Sequence, residues 1–303
     1  FINKNKFKNE LIYRLVINHG AVMAFKDINI IGSKWIEENG ARVLDVEESH
    51  ALIMAAGYLK HSSLEGVYFR GQSRMYSEQR PSLYRGIDGD NGRSNRERNM
   101  NAKINEYRDA CPAFSKFGEY AAEPLLQHYG LQTTWLDLVD NIWVALWFAC
   151  FEAKSTKDGH FLHFQKRVIN EENKFAYIYL IGVDLDRRKK SKPGYWNGDN
   201  TELVDLRIAA PPYFLRPHAQ HGLLFRCKGV EGGRVLDYSK QVRGIVRIPL
   251  EKAFDWLGSA HTVGIHSLFP PAFYDNGYKI LLQSGVPFEK NNTGIGGVQL
   301  IGA

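Results

Sequence analysis

Most signatures of well-known enzyme classes are missing from this 303-residue chain. It has no Walker phosphate loop, no GxGxxG fingerprint, no GxSxG nucleophile elbow and no HExxH zinc motif. An NTPase, a dehydrogenase, a serine hydrolase and a zincin therefore lack support. No internal repeat or low-complexity segment stands out either, so the argument depends on local patterns.

Cysteine is scarce, and long apolar runs are missing. Three cysteines, Cys111, Cys150 and Cys227, lie far apart without a CxxC pair, which predicts a reducing compartment and no disulfide framework. The apolar stretch at residues 21–31 is too short and too charged to span a membrane, and no signal-peptide pattern is present. We therefore expect a cytoplasmic protein without a membrane partner.

Charge and hydrophobicity are ordinary apart from a mild basic excess. Lys and Arg number 39 against 33 Asp and Glu, which gives a net charge of +6 and a pI near 9.0. This excess permits attraction to nucleic acid or another polyanion, and a basic surface without such a function is an equal alternative. Hydrophobic residues at 44% predict a substantial core, and the length predicts one large domain or two smaller ones.

Periodicity and turn residues predict strands scattered among helices. The predicted helices cover residues 47–60, 99–108, 119–129 and 141–153, with a further one that Pro249 starts and Gly258 ends. The predicted strands cover residues 66–71, 133–139, 174–183, 203–208, 222–227 and 242–248. Residues 87–95 have the composition of a mobile loop, residues 186–200 form a basic loop, and the tail frays from Asn291. We predict an α+β fold with mixed or antiparallel sheets and flanking helices.

Four blocks of sequence occur in an order that is fairly specific for one family. The first is the Phe-Arg-Gly motif at Phe69–Gly71, followed by Pro-Ser-Leu-Tyr-Arg at residues 81–85. The second runs from Gln127 to Ala149 and begins Gln-His-Tyr-Gly-Leu. The third is Ala-Gln-His-Gly-Leu-Leu-Phe at residues 219–225, and the fourth joins Ile-Pro at residues 248–249 to Ser-Leu-Phe-Pro at residues 267–270. On these motifs, the chain resembles the FRG domain family.

The resemblance also defines an expected layout. It predicts an FRG domain at residues 56–271, an N-terminal α/β extension at residues 1–55 packed on the core, and a C-terminal extension at residues 272–303. The second block departs from the family pattern, because the family's Pro, Arg, Trp and Thr are replaced here by Gln132, Thr134, Leu138 and Val139. Any function of the replaced arginine and of the replaced threonine hydroxyl does not carry over to this chain.

The order of the motifs is similar to that of ADP-ribosyltransferases, which implies a split-sheet core. It also implies an NAD-dependent ADP-ribosyltransferase-like effector, acting as a toxin or in anti-phage defence. NAD would be the co-substrate, with no metal, and the acceptor would be a nucleic acid, RNA being favoured, or a protein. An antitoxin or chaperone is a candidate partner. The alternative is a non-catalytic nucleotide or nucleic-acid binding module, and a third hypothesis is a metal-independent nuclease using His128 or His221.

Three residues are predicted to carry the chemistry. Arg70 suits a pyrophosphate, because its planar fork meets phosphate oxygens in two parallel hydrogen bonds, and a structural ion pair is its alternative role. Asp137 would stabilise positive charge on a ribose or pair with Arg70, since a carboxylate among apolar neighbours is costly to bury alone. Gln220 would bond a ribose hydroxyl or an acceptor, with Glu202 and Asp205 nearby to supply the missing charge.

Further residues are predicted to bind the cofactor or the acceptor. With Arg70, the cofactor-binding set is Gly71, Gln72, His128, Tyr129 and Thr133. Gly71 would let a ligand approach the backbone, and His128 would contact phosphate or transfer a proton, a core or capping histidine being its alternative. The acceptor-binding set is Arg74, Arg85 and His221, for which a solvated surface is the alternative. We predict no metal site, because His218 and His221 lack ligand partners at suitable spacing.

Overall fold

A computed structural model of the chain describes residues 28–87, 90–155, 162–185, 192–229, 236–258 and 263–286. Some predicted features lie outside these residues. They are most of the apolar stretch at residues 21–31, the basic run at residues 187–191, and the tail from Asn291.

Eleven strands and nine helices occur in the described residues. The strands are β1 (Ser33–Glu38), β2 (Ala41–Val46), β3 (Gly66–Gln72), β4 (Leu136–Val139), β5 (Phe151–Ser155), β6 (Leu162–Lys166), β7 (Phe175–Val183), β8 (Tyr195–Asn197), β9 (Thr201–Asp205), β10 (Gly222–Cys227) and β11 (Val242–Pro249). The helices are α1 (Ser49–Ser62), α2 (Asp90–Ala110), α3 (Ala122–His128), α4 (Ile142–Cys150), α5 (Leu206–Ala209), α6 (Leu215–Ala219), α7 (Leu250–Trp256), α8 (Ile265–Leu268) and α9 (Asn276–Gln283).

A nine-stranded mixed sheet forms the centre of the molecule, in the order β1-β2-β11-β7-β3-β4-β10-β9-β8. Its neighbouring strands are antiparallel except β2 and β11, which run parallel. The hairpin of β5 and β6 forms a separate two-stranded sheet. The predicted α+β class, with mixed sheets and flanking helices, is confirmed.

The large sheet is almost divided between β3 and β4. These two strands share one residue pair, Phe69 with Val139. By contrast, β3 pairs with β7 along its whole length, and β4 pairs with β10 along its whole length. The two halves therefore diverge directly after Phe69, which is where Arg70 lies. The expected resemblance to a split-sheet ADP-ribosyltransferase core stays a prediction.

Helix α4 fixes the position of this division. Its first turn is capped by Asn141, whose side-chain oxygen accepts from the backbone N–H of Trp143 at 2.9 Å. The helix is apolar nearly all round and packs on β3, so closely that a Cβ on Gly71 would lie 1.8 Å from the Ala145 carbonyl oxygen. Gly71 is therefore required for the contact between α4 and the strand that carries Arg70.

Several predicted elements differ from the structure. Residues 90–95, predicted as part of a mobile loop, form the start of α2, because Tyr84 donates to Glu97 at 2.7 Å and Arg96 donates to the Leu83 carbonyl at 3.1 Å. Tertiary contacts thus stabilise a helix that its polar sequence does not predict. Predicted helix 141–153 ends at Cys150, where β5 begins. Predicted strand 203–208 ends at Asp205, whose carboxylate caps α5 by accepting from the Arg207 N–H.

The predicted strand at residues 133–139 is also shorter than expected. Only Leu136–Val139 form β4, because the Thr133 hydroxyl bonds to the Gln127 side chain and accepts from the Trp135 N–H. These local side-chain bonds hold residues 133–135 out of the sheet.

The cysteines agree with one further expectation. Cys111, Cys150 and Cys227 are free thiols, as the absence of a disulfide framework predicts. Within the described residues, no helix has the length and apolar character needed to cross a membrane.

Candidate functional site

Two adjacent pockets open where the sheet divides. The wide cleft has a volume of about 940 Å³ and the inner pocket about 290 Å³, and together they reach the usual size of ligand sites. Four residues line both: Arg70, Gly71, Asp137 and Phe148. His128 and Gln220 line the inner pocket. The structure therefore brings the three predicted catalytic residues, Arg70, Asp137 and Gln220, to one pocket.

Arg70 connects the two halves of the sheet with its side chain. Its Nη1 donates to the backbone carbonyl of Asp137 at 2.8 Å, whereas the Asp137 carboxylate lies farther away, at 4.0 Å. Burial lowers the pKa of Arg70, and the neighbouring Asp137 charge opposes this shift. An arginine remains protonated under such conditions. Arg70 is therefore a fixed cation at the junction of the two pockets.

Asp137 is more accessible than expected. Its backbone lies in β4 opposite Leu224, but half of its side-chain surface is exposed. The apolar neighbours of Asp137 in the sequence suggest a buried carboxylate, but the division of the sheet leaves its side chain open to the pockets. Its negative charge is consequently available to a ligand.

His128 ends α3 and is fixed through its ring. The Nδ1 atom lies 3.1 Å from the Gln220 side-chain oxygen, and the Gln220 amide nitrogen donates to the Leu268 carbonyl at 2.9 Å. Because that amide nitrogen is a donor, the oxygen is an acceptor and His128 Nδ1 carries the proton. Burial lowers the pKa of His128, and the nearby Asp137 charge opposes this shift. The Arg216 cation adds a smaller lowering, which the hydrogen bond with Gln220 opposes. His128 is therefore neutral at pH 7.

Gly71 and Gln72 have structural roles beside the site. The space that Gly71 leaves is filled by the Ala145 carbonyl of α4, and not kept open for a ligand as the sequence predicts. Gln72 donates to the Gln79 side chain at 2.9 Å, at the edge of the wide cleft that both residues line.

Tyr129 and Thr133 lie in the core and line neither pocket. The Tyr129 hydroxyl donates to Asp275 at 2.8 Å, and its ring stacks on Tyr278 at 5.4 Å between centroids. The Thr133 carbonyl accepts from the Leu83 N–H at 3.2 Å, which connects the segment before β4 to the short 3₁₀ helix at Ser82–Tyr84. The structure accounts for both residues by packing and hydrogen bonding.

The residues predicted to bind an acceptor separate into two places. Arg74 and Arg85 line the wide cleft, and the Arg74 guanidinium lies 4.8 Å from the centre of the Tyr76 ring. His221 lies outside both pockets, where its Nδ1 is 3.1 Å from the Asp140 carboxylate and 3.4 Å from Arg207. The charged side chains that line the wide cleft are four arginines, Arg70, Arg74, Arg80 and Arg85, and three carboxylates, Glu78, Asp137 and Glu152.

The aromatic lining of the site was missed by the sequence analysis. Phe148 lies at the junction, Phe69 and Phe269 line the inner pocket, and Phe151 and Phe164 line the wide cleft. Phe148 was assigned to a buried helix, and Phe164 lies in a hairpin that was not predicted. No signal in the sequence identifies these rings as pocket residues, because apolar side chains in a core and in a pocket have the same pattern.

The acids proposed to assist Gln220 do not reach it. Glu202 pairs with Arg226 at 2.5 Å, and Asp205 pairs with Arg207 at 2.7 Å. Neither acid lines the two pockets. Among the described residues, no group of three or more His, Cys, Asp or Glu side chains has the arrangement of a metal site.

Comparison with known proteins gives one family match. The FRG domain profile matches residues 65–158, a range that contains β3 with Arg70, α3 with His128, β4 with Asp137, and α4. No curated protein and no solved structure matches the chain. The segment that carries most of the lining of the inner pocket therefore matches the FRG domain family.

Proposed function

We propose that the two pockets form one site for NAD and that the chain transfers ADP-ribose to an acceptor. The observation that carries the proposal is the meeting of Arg70, Asp137 and His128 at one pocket, beside a cleft lined by further arginines. The setting that we propose with it, a toxin or anti-phage defence effector, follows from the family resemblance. A nucleic acid, RNA first, is the acceptor that we favour, and a protein is the second choice.

Binding of a dinucleotide is supported by the arginines that line the wide cleft. Arg74 and Arg85 line the wide cleft with Arg70 at its inner end, so phosphates are favoured there. The aromatic rings of Phe151 and Phe164 in the same cleft offer contact surface to a base. The inner pocket, with apolar walls and Asp137, suits the nicotinamide and its ribose.

The proposed chemistry assigns one task to Asp137. The bond between ribose C1′ and the nicotinamide nitrogen breaks, and the bonding electron pair leaves with nicotinamide, which becomes neutral. Positive charge develops on the ribose, and a carboxylate beside it stabilises that charge. The acceptor nucleophile then attacks C1′ and loses its proton. Arg70 would hold the pyrophosphate and so keep the ribose in place.

A binding module without chemistry remains the second candidate, and one observation favours it. Both polar atoms of the Gln220 side chain are engaged inside the protein, by His128 and by the Leu268 carbonyl. Gln220 therefore offers no charge to a ribose, and each of its polar atoms already has a partner within the protein. In this alternative, the same cleft would hold a nucleotide or nucleic acid as a sensor or regulator.

Label transfer and nicotinamide release separate the two candidates. The protein is incubated with radiolabelled NAD and RNA, DNA or cell lysate, beside Asp137→Asn and Arg70→Lys. We expect the wild type to transfer label, and Asp137→Asn to lower the rate about a hundredfold without loss of NAD binding. Arg70→Lys should weaken NAD binding, because a lysine loses the two parallel hydrogen bonds.

The control variant is Arg108→Ala, which removes a positive charge that pairs with Glu119 and lines neither pocket. Its transfer rate and NAD affinity should equal those of the wild type. Measurable nucleotide binding without label transfer or nicotinamide release would contradict the enzyme proposal and favour the binding module. RNA cleavage without NAD would favour the nuclease.

A further inference from the structure

The segment that follows β3 lines the wide cleft, and hydrogen bonds fix its main chain. The Tyr76 N–H donates to the hydroxyl of the buried Tyr179 at 3.1 Å, and that hydroxyl donates to the Tyr76 carbonyl at 3.3 Å. Three residues later, the Gln79 N–H donates to the Asp237 carboxylate at 2.7 Å. These bonds use main-chain atoms of the segment. Its position therefore does not depend on the Tyr76 ring.

The Tyr76 ring is open to the wide cleft. Tyr76 is 41% exposed, and among the large exposed hydrophobic side chains of the described residues it is the only one that lines either pocket. The exposed guanidinium of Arg74 lies 4.8 Å from the centre of this ring. An aromatic ring beside a planar guanidinium is a surface on which a nucleobase can stack.

Two of the three carboxylates that line the wide cleft have a cation beside them. Glu78 pairs with Arg80 at 2.6 Å, and Glu152 pairs with Lys154 at 3.1 Å. The third carboxylate, Asp137, lies at the junction with the inner pocket. The acids of the cleft therefore offer little repulsion to an anion that binds near the exposed tyrosine.

Two arginines of the wide cleft have no such partner. Arg74 and Arg85 are exposed, and neither forms an ion pair among the described residues. The main chain of Arg85 is held by Arg96, which donates to its carbonyl at 3.1 Å. Burial lowers the pKa of Arg70, and the charge of Arg85 adds a smaller lowering, so these two cations lie close together. The exposed ring therefore shares its cleft with cations that are available to phosphates.

We propose that Arg74 and Tyr76 form a stacking site for an unpaired nucleobase, and that the acceptor is consequently a single-stranded nucleic acid. The base stacks on the Tyr76 ring, and Arg74 and Arg85 bind the phosphates beside it. A duplex covers the faces of its bases, and an acidic peptide has no bases to stack. The inference rests on the proposed function in taking a nucleic acid as acceptor, but binding of the strand needs no NAD.

Binding is measured by fluorescence anisotropy on the full chain, without NAD. The labelled probes are a DNA single strand of about ten nucleotides, an abasic strand with the same number of phosphates, a duplex of the same sequence, and polyglutamate. The wild type should bind the single strand about tenfold more tightly than the abasic strand, because only the former has a base to stack.

Variants of Tyr76 separate stacking from charge. Tyr76→Leu removes the flat ring and should weaken binding of the single strand about tenfold, while binding of the abasic strand and of the duplex stays within about twofold of the wild type. Its salt slope should equal that of the wild type, because no phosphate contact is lost. Tyr76→Phe keeps the ring and should keep the affinity.

The matched control is Tyr274→Leu. Tyr274 is also an exposed tyrosine, at 67%, but it lines neither pocket. Its loss should leave the binding of all four probes unchanged. The urea midpoint of each variant should match that of the wild type, because the Tyr76 substitutions leave the main-chain bonds of the segment in place.

Three outcomes would overturn the stacking site. The first is equal binding of the single strand and the abasic strand by the wild type. The second is a Tyr76→Leu variant that binds the single strand as tightly as the wild type, or that loses duplex binding by the same factor. The third is tighter binding of polyglutamate than of the single strand, which would assign the surface to an acidic protein.

The stacking site and the proposed function fail separately. Binding of the single strand that depends on the Tyr76 ring, without label transfer from NAD to any acceptor, would remove the proposed function and leave the stacking site standing. Label transfer from NAD that Tyr76→Leu does not change, with equal binding of the single and abasic strands, would leave the proposed function standing and remove the stacking site.

Discussion

The inner pocket and the wide cleft share a wall but are built in different ways. In the inner pocket, the polar atoms of Gln220 and the Nδ1 of His128 are bonded within the protein. In the wide cleft, Arg74 and Arg85 are exposed and form no ion pair among the described residues. A fixed pocket selects by geometry, whereas exposed cations attract many anions with little selectivity. The two pockets thus differ in how firmly their polar side chains are held.

Disturbing the contact between Gly71 and α4, in the wall that both pockets share, should have the largest effect on stability. Gly71→Ala places a methyl group against the Ala145 carbonyl, which belongs to the backbone of α4 and has no room to give way. We expect a loss of about 3 kcal/mol or more in the free energy of unfolding, measured by urea denaturation. Gly57→Ala is the matched control, because it lies in α1 with open space around it and should stabilise the protein by about 0.5–1 kcal/mol. Equal effects of the two changes would contradict the close contact.

A substitution at Asp275, which accepts hydrogen bonds from Tyr129 and Arg216, should give the next largest effect on stability. Asp275 is fully buried, accepts from the Tyr129 hydroxyl at 2.8 Å and from the Arg216 N–H at 3.2 Å, and caps α9. Asp275→Asn replaces one acceptor oxygen by a donor that faces donors, so we expect a loss of about 2 kcal/mol in stability. The matched change Asp255→Asn alters an acid in α7 that lines neither pocket, and its effect should stay within about 0.5 kcal/mol. A cost below about 0.5 kcal/mol at Asp275, which is close to the noise of the measurement, would contradict the supporting role.

The pH dependence of His128 should be smaller. Burial and Arg216 lower the pKa of His128 in the folded protein, so below about pH 6.5 the unfolded chain binds a proton that the folded chain does not. The stability contribution is therefore present above that pH and is lost as the pH falls toward the folded pKa. The unfolding free energy of the wild type should fall more steeply than that of His128→Gln between pH 7 and 5, by about 1 kcal/mol. Parallel curves for the two proteins would show that His128 is not held neutral.

The wide cleft should respond least in stability and most in salt dependence. Arg74→Ala with Arg85→Ala removes two exposed cations and should change the unfolding free energy by less than about 0.5 kcal/mol. Binding of a nucleotide or single-stranded RNA should weaken and lose about one unit of salt slope for each phosphate contact removed. The His128→Gln variant should keep the full slope. A salt slope that is unchanged in the double variant would show that phosphates bind elsewhere.

Local pattern was enough to predict much of the sheet. The strands at residues 66–71, 174–183, 222–227 and 242–248 agree with β3, β7, β10 and β11 to within one residue at each end, because apolar or alternating runs there end at glycine, proline or polar residues. The helix at residues 90–98 was missed because its polar sequence is held by contacts with Leu83 and Tyr84, which lie outside any local window.

The sequence predicts which residues lie at the candidate site, but it does not predict the contacts that fix each side chain. The Phe-Arg-Gly and His-Tyr-Gly motifs identified Arg70, His128 and Asp137, which the structure places at one pocket. The fixed state of Gln220 depends on the Leu268 carbonyl, 48 residues away, and the state of His128 depends on Arg216, 88 residues away. Such distant partners leave no signature in a local stretch of sequence.

The bond from Arg70 to the Asp137 carbonyl has a consequence for sequence comparison. The Arg70 guanidinium donates to a carbonyl of β4, as a main-chain N–H of β3 would if the two strands were still paired there. A chain with this fold would need that arginine to keep the two halves of its sheet joined, whether or not it binds a ligand. An arginine at this position in another chain is therefore evidence for the fold before it is evidence for any activity.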